Sequence, residues 1–207
     1  MELEHVLPMD IEKRSFEIIT SELPHPIEES LGPIIKRVIH TTADFEYADT
    51  LYFSEDVLRK ALNALKNGAT IVTDTNMAFA GINKPALKMH GCSAVCYISD
   101  EDVALSAKEN GTTRSMAAID KAARLPGPVI FAIGNAPTAL IRIRELIDAG
   151  KLDPALVIGV PVGFVNVVQS KERIIESGVP CIVARGRKGG SNVAACICNA
   201  LLYMLGR

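Results

Sequence analysis

From Pro128 onward the chain alternates short apolar runs with helical patterns at a spacing that leaves little choice of fold. Apolar runs occupy 128–133, 155–162 and 181–184, and helical periodicity covers 138–149, 165–177 and the closing stretch 193–205. Uninterrupted apolar runs of this length suit strands buried on both faces, and a helix after each supplies the crossover that parallel strands require. The alternation therefore predicts βαβ units in a three-layer α/β/α fold with a mainly parallel central sheet. Gly150 and Gly178 stand where two of these helices should end, because glycine tolerates the left-handed backbone of a helix C-cap.

Upstream, 69–74 is rich in Ile, Val and Thr and, with 93–98, reads as further strands of the same sheet. Helical patterns cover 54–66, 100–109 and 113–124. Ser54, followed by Glu55 and Asp56, predicts a start with a hydroxyl cap and carboxylates at the positive dipole end; Asn67-Gly68 predicts the stop. The amino-terminal part differs. There 11–23 and 26–39 read as two consecutive helices without a strand between them, the second started or kinked at Gly32-Pro33. With no linker, repeat or low-complexity segment, 1–207 reads as one domain.

Composition narrows the function classes. An apolar fraction of 48% with 22% charged residues excludes disorder. The net charge of -2 gives no basic footprint, so nucleic acid is not expected as a partner, and an anionic ligand must be met by local cations. The apolar run 193–205 contains Asn199 and is shorter than a membrane span; it predicts a buried helix, not a membrane anchor. No secretory signal is expected at the amino terminus. Five cysteines, an odd number set in apolar segments, suit reduced thiols in a cytoplasmic protein. Cys196 and Cys198 point about 200° apart on a helix, and no second ligand pair completes a zinc site, so no metal site is expected.

In a parallel sheet, ligands gather beyond the carboxyl ends of the strands. The loops expected there are 74–76, 134–138, 161–164 and 185–191. The last of these sets Arg185, Arg187 and Lys188 among three glycines just ahead of a helix, so backbone N–H groups, helix dipole and side-chain charge could together favour an anion. A basic turn with a solvated face would read the same way. The loop lacks the Walker order, and no GxGxxG fingerprint occurs.

One imidazole has chemically useful company. In Arg37-Val38-Ile39-His40-Thr41-Thr42-Ala43-Asp44-Phe45 the histidine closes an apolar helix, and Arg37, three residues earlier, shares its face. Histidine is the natural proton carrier near neutral pH. A helix-end histidine also serves simply as a C-terminal cap, and spacing alone leaves both readings open. Thr113-Arg114 is a helix entry with a hydroxyl and a guanidinium, and Ser15 reads as a serine bonding back to its own helix.

Taken together, several segments resemble the precorrin-8X methylmutase family. They are Ser15-Phe16 with Ile18-Ile19, the run Val38 to Phe45, Asp74-Thr75-Asn76-Met77 with Gly81-Ile82, and Thr113-Arg114-Ser115. Further along come Gly134 to Leu140, Gly159 to Val165, and Arg187-Lys188-Gly189-Gly190-Ser191 with Asn199-Ala200-Leu201. The resemblance implies an isomerase that moves a methyl group from ring carbon 11 to ring carbon 12 of a corrin precursor, giving hydrogenobyrinate or cobyrinate. It implies His40 as the acid-base residue that protonates a pyrrole-type ring nitrogen. Arg37 and Arg114 would bind the acetate and propionate groups of a polycarboxylate tetrapyrrole, since guanidinium forks pair with carboxylates. Lys188, Gly189, Gly190 and Ser191 would form a further anion site, and Ser15 and Thr41 would add shorter hydrogen bonds. No cofactor is implied, any cobalt being carried by the substrate. A homodimer whose subunits both contribute to the sites is implied as well. Two other readings remain beside it: a non-catalytic tetrapyrrole carrier, and a phosphate- or nucleotide-binding α/β protein.

Overall fold

The computed structural model describes residues 4–206. After a 3-10 turn at Pro8–Asp10 come helices α1 (Ile11–Glu22), α2 (Gly32–Thr42) and the single turn α3 (Tyr47–Thr50), then strand β1 (Leu51–Phe53) and helix α4 (Val57–Lys66). Strand β2 (Thr70–Thr73) leads through short helices α5 (Asn76–Gly81) and α6 (Lys84–Met89) to β3 (Ser93–Val95), α7 (Glu101–Glu109) and α8 (Arg114–Ala122). The rest alternates: β4 (Val129–Ile133), α9 (Pro137–Asp148), β5 (Leu156–Gly159), α10 (Val167–Ile175), β6 (Cys181–Ala184) and α11 (Ser191–Met204).

The strands form one sheet in the order β1-β6-β5-β4-β2-β3, parallel throughout except for β1, which runs antiparallel to β6. Strand side chains alternate between two cores, as the two-residue period demands. Ile71, Ile130, Leu156, Ile158 and Ile182 pack with α2, α4 and α11 on one face. Val72, Phe131, Ile133, Val157 and Val183 pack with α8, α9 and α10 on the other. This is the expected three-layer arrangement. Helix α11 is buried along most of its length, and its one interrupting amide, Asn199, is satisfied by the turn between α5 and α6: it donates to Gly81 O at 2.9 Å and accepts from Asn83 N at 2.8 Å. Gly150 (φ 66°) and Gly178 (φ 75°) take the left-handed conformation expected of helix stops.

The strand expected over 93–98 is confined to Ser93–Val95, and α5 and α6 stand where no helix is expected; three further corrections fall in the amino-terminal third. Strand β1 was not anticipated; three residues give no alternation to read, and only pairing of Leu51 with Ala184 makes them a strand. The second helix begins at Gly32 with Pro33 in its first turn, so 26–31 is not helical. Ser54 does not cap α4; its hydroxyl accepts from Cys181 N at 2.9 Å and pins β1 to β6, while α4 starts at Val57 behind Asp56 in left-handed backbone (φ 59°).

The antiparallel β1 has a functional consequence. Because Leu51 lies opposite Ala184 at the carboxyl end of β6, the chain that leads from α2 into β1 runs along the edge where the strand-to-helix loops emerge. Arg185 N donates to Thr50 O at 2.8 Å and joins the two segments.

Candidate active site

His40 lies in the last turn of α2, which closes by an Ala43 N to Ile39 O bond of 2.7 Å with Ala43 in the left-handed region (φ 52°). A non-glycine residue there costs about 1–2 kcal/mol, and side-chain bonds on both sides hold the turn. Thr42 Oγ1 donates to Val38 O at 2.8 Å and accepts from Asp44 N at 3.3 Å, and Asp44 Oδ1 accepts from Glu46 N at 3.0 Å. The His40 ring is exposed, and among the described residues neither of its nitrogens has a hydrogen-bond partner. Its fixed neighbour is Phe16 of α1, met edge-on at 5.5 Å between centroids.

Arg37 does share the histidine's face, since both reach Phe16. The guanidinium lies 5.2 Å from the Phe16 centroid and 4.9 Å from that of Tyr203, and it is ion-paired with Glu12. Arg37 and Tyr203 wall two clefts: one of about 1060 Å³ extends past Phe16, His25 and Lys36, and one of about 330 Å³ is bounded by Thr41, Met77, Asn192 and Cys196. Thr41 donates to Cys196 Sγ at 3.2 Å, and that thiol donates to Arg37 O at 3.2 Å, tying the His40 turn to α11. Burial pushes the Cys196 thiol up from its ordinary pKa, so it stays protonated and able to donate.

The basic loop meets this turn directly. Lys188 bridges Asp44 and Glu46, each at 2.5 Å. Its hydrogen bonds to those carboxylates raise the ammonium pKa, and the same contact holds Asp44 below the usual carboxylate range. Gly190 N donates to Val160 O at 2.9 Å, and a Cβ on Gly189 would fall 2.1 Å from that same oxygen, so only glycine permits the loop to lie this close. Ser191 Oγ meets Thr75 Oγ1 at 2.7 Å, and Thr75 also caps α5 through Ala78 N.

Asp74 organises the neighbouring loop. Its buried carboxylate accepts from the N–H groups of Gly134, Asn135 and Ala136 at 2.9, 2.8 and 2.7 Å. Burial raises its pKa against the opposing pull of those donors. The loops after β2, β4, β5 and β6 therefore converge at the start of α11.

Of the residues singled out from sequence, His40, Thr41, Arg37, Lys188, Gly189, Gly190 and Ser191 come together here. Ser15 is next to Phe16 but donates to Ile11 O at 2.8 Å within its own helix. Arg114 opens α8 behind the Thr113 cap, exposed, and among the described residues has no hydrogen bond or ion pair to the His40 turn; α8 packs on the opposite face of the sheet from α2. Sequence reasoning missed Phe16, Tyr203, Asp44 and Cys196 as supporting groups. Phe16 and Asp44 sit in segments already singled out, whereas nothing local marks Tyr203 or Cys196.

An exposed imidazole and a glycine-rich basic loop at the carboxyl edge of a parallel sheet define a candidate α/β ligand site of the strand-end class. The comparisons name the family. The family model described as Precorrin-8X methylmutase matches residues 10–204. A cobalt-precorrin-8 methylmutase of Salmonella typhimurium strain LT2 is 48% identical over 96% of this chain and 96% of its own. One from Priestia megaterium is 45% identical over 95% of this chain and 88% of its own. The crystal structure of a precorrin-8X methylmutase from Thermus thermophilus superposes with a TM-score of 0.86 at 37% identity, covering 94% of this chain and 96% of that one. This chain belongs to the precorrin-8X methylmutase family, a family of isomerases.

Proposed function

We propose that this protein is the isomerase of cobalamin biosynthesis that moves a methyl group from ring carbon 11 to ring carbon 12 of precorrin-8 or its cobalt form. The observation that carries this reading within the family is His40: a solvent-open imidazole with no hydrogen bond among the described residues, backed by Phe16 and beside Arg37. The methyl group leaves one carbon and joins its neighbour on the same macrocycle, so no donor is consumed. His40 lends a proton to the ring nitrogen beside the migration and regains one when the rearranged system settles. No resident cofactor takes part in this reading, and cobalt, where present, arrives with the substrate.

Peripheral carboxylates are the handles by which such a macrocycle is held. Arg114 is exposed and without an ion pair among the described residues, so its guanidinium is open to them. Arg37 and Lys188 carry carboxylate partners of their own, so a substrate carboxylate must exchange with Glu12 or with Asp44 and Glu46. Because His40 faces solvent and does not line either cleft, a second copy of the chain is the natural cover for a bound macrocycle; the protein acts as a homodimer. Among the described residues no helix is long and apolar enough to cross a membrane, and we place the enzyme in the cytoplasm.

The deciding experiment is conversion of precorrin-8 by the wild type and by His40→Ala, with hydrogenobyrinate binding measured alongside. Binding without turnover in the variant is expected. Turnover by His40→Ala would remove the proposed proton carrier, and wild-type binding without turnover would favour a carrier instead.

A further inference from the structure

Lys171, on α10, is fully buried, with no exposed surface, and is paired with no carboxylate among the described residues. Lysine is rarely enclosed in this way. Its Nζ donates to the carbonyls of Gly186 and Lys188, at 2.9 and 2.8 Å, from beneath the basic loop. The carbonyl between them, Arg187 O, accepts from Gly163 N at 3.2 Å. Three consecutive carbonyls are thus turned toward the protein.

Peptide planarity converts that into a statement about donors. Among the described residues there is no cis peptide bond, and in a trans peptide the N–H points opposite to the preceding carbonyl. The N–H groups of Arg187, Lys188 and Gly189 therefore face away from their anchors, and among the described residues none has an acceptor. N–H groups left without acceptors are available to an anion, here immediately before the first turn of a 14-residue helix. Burial lowers the pKa of Lys171 to about 8, Glu172 opposing, so the ammonium is still the majority form at neutral pH.

We propose that Lys171 is a positioning residue: it locks the 186–189 segment with its amides outward, so that the backbone of Arg187, Lys188 and Gly189 receives a carboxylate of the substrate. This role rests on the functional reading above and deepens it. The side chain never touches the macrocycle. It acts through two carbonyls and by placing a positive charge behind the donors.

Lys171→Met keeps the length of the side chain and removes both donors and the charge. The expected result is a KM raised about tenfold, equivalent to about 1.4 kcal/mol, with kcat within about twofold and a parallel rise in the Kd for hydrogenobyrinate. A variant that had merely lost part of its folded population would show the reverse, reduced kcat at unchanged KM, and that outcome overturns the role. So does an unchanged KM and Kd. If Lys171→Met fails to fold, the wild type supplies the test: on titration with hydrogenobyrinate, the amide resonances of Arg187, Lys188 and Gly189 should shift downfield, and stationary resonances overturn the proposal. A wild type that neither binds nor converts overturns both readings together; a fully competent wild type matched by Lys171→Met overturns this one alone.

Discussion

His40 sits where the fold has little stake in it, exposed and, among the described residues, without a hydrogen bond, so its removal should separate chemistry from stability. His40→Ala is expected to lower the conversion rate by about 10²–10⁴-fold, the usual worth of a positioned proton carrier. Its unfolding free energy should stay within about 0.5 kcal/mol of wild type, as for other surface positions. Single-turnover kinetics and urea unfolding check the two halves. His25, on the wall of the larger cleft, behaves differently because its ring is engaged on both sides: Nδ1 meets Pro26 O at 3.0 Å and Nε2 meets Asp49 Oδ1 at 2.7 Å. Those contacts, the Pro26 carbonyl first, raise its pKa above 6.5. The contribution of this contact to stability is then complete below about pH 6.5 and is lost as pH rises through the folded value. NMR titration should show His25 above 6.5 and Asp49→Asn shifting it down; an unmoved His25 in that variant would remove the carboxylate's part. At this scale the sequence was informative wherever the groups are contiguous, as Arg37 and His40 are. It was silent where partners are remote: Glu12 neutralises Arg37 from 25 residues away, and Asp44 binds Lys188 from 144 residues away.

Between elements, the site depends on loops packed closer than side chains ordinarily permit. A Cβ on Gly134 would lie 2.7 Å from Ser191 Cα and 2.8 Å from Gly190 O, both backbone atoms with little room to give. Gly134→Ala should therefore destabilise the protein by about 1–3 kcal/mol through overpacking, read as a lower urea midpoint. It should also weaken product binding by parting the β4 loop from the start of α11. Asp74→Ala attacks the same junction from the other side, leaving three N–H groups without their carboxylate, and is expected to cost about 3–5 kcal/mol. A loss under 1 kcal/mol in equilibrium unfolding would show that water replaces that carboxylate readily. Asp74 and Gly134 were visible in the sequence as polar loop residues after expected strands. Their mutual contact was not, because it is made across β2 and β4, 60 residues apart. The misread elements share that cause: β1, and Ser54 as a cap, take their roles from β6, not from their own neighbours.

For the molecule as a whole, the parallel half was readable because each βα unit carries its own apolar run and its own helix stop. What one chain does not bring together is every residue singled out from its sequence. Arg114 and His40 lie at one edge of the sheet but on helices that cover opposite faces, and among the described residues neither makes a hydrogen bond or ion pair with the other's helix. Phe164 and Val165, 80% and 79% exposed, and Met77, 70% exposed, leave apolar surface open along that edge. Exposed apolar groups beside a ligand site are commonly covered by a partner. If the protein is a homodimer that places Arg114 of one subunit against the ligand held by His40 of the other, two defective variants should repair each other. Random mixing of His40→Ala with Arg114→Ala makes half the dimers mixed, each with one intact site of two, so activity at low substrate should return to about a quarter of wild type. Sites confined to single subunits predict only the average of the two variants. Sedimentation of the wild type at twice the chain mass is the companion measurement, and a fully active monomer would end the argument for shared sites.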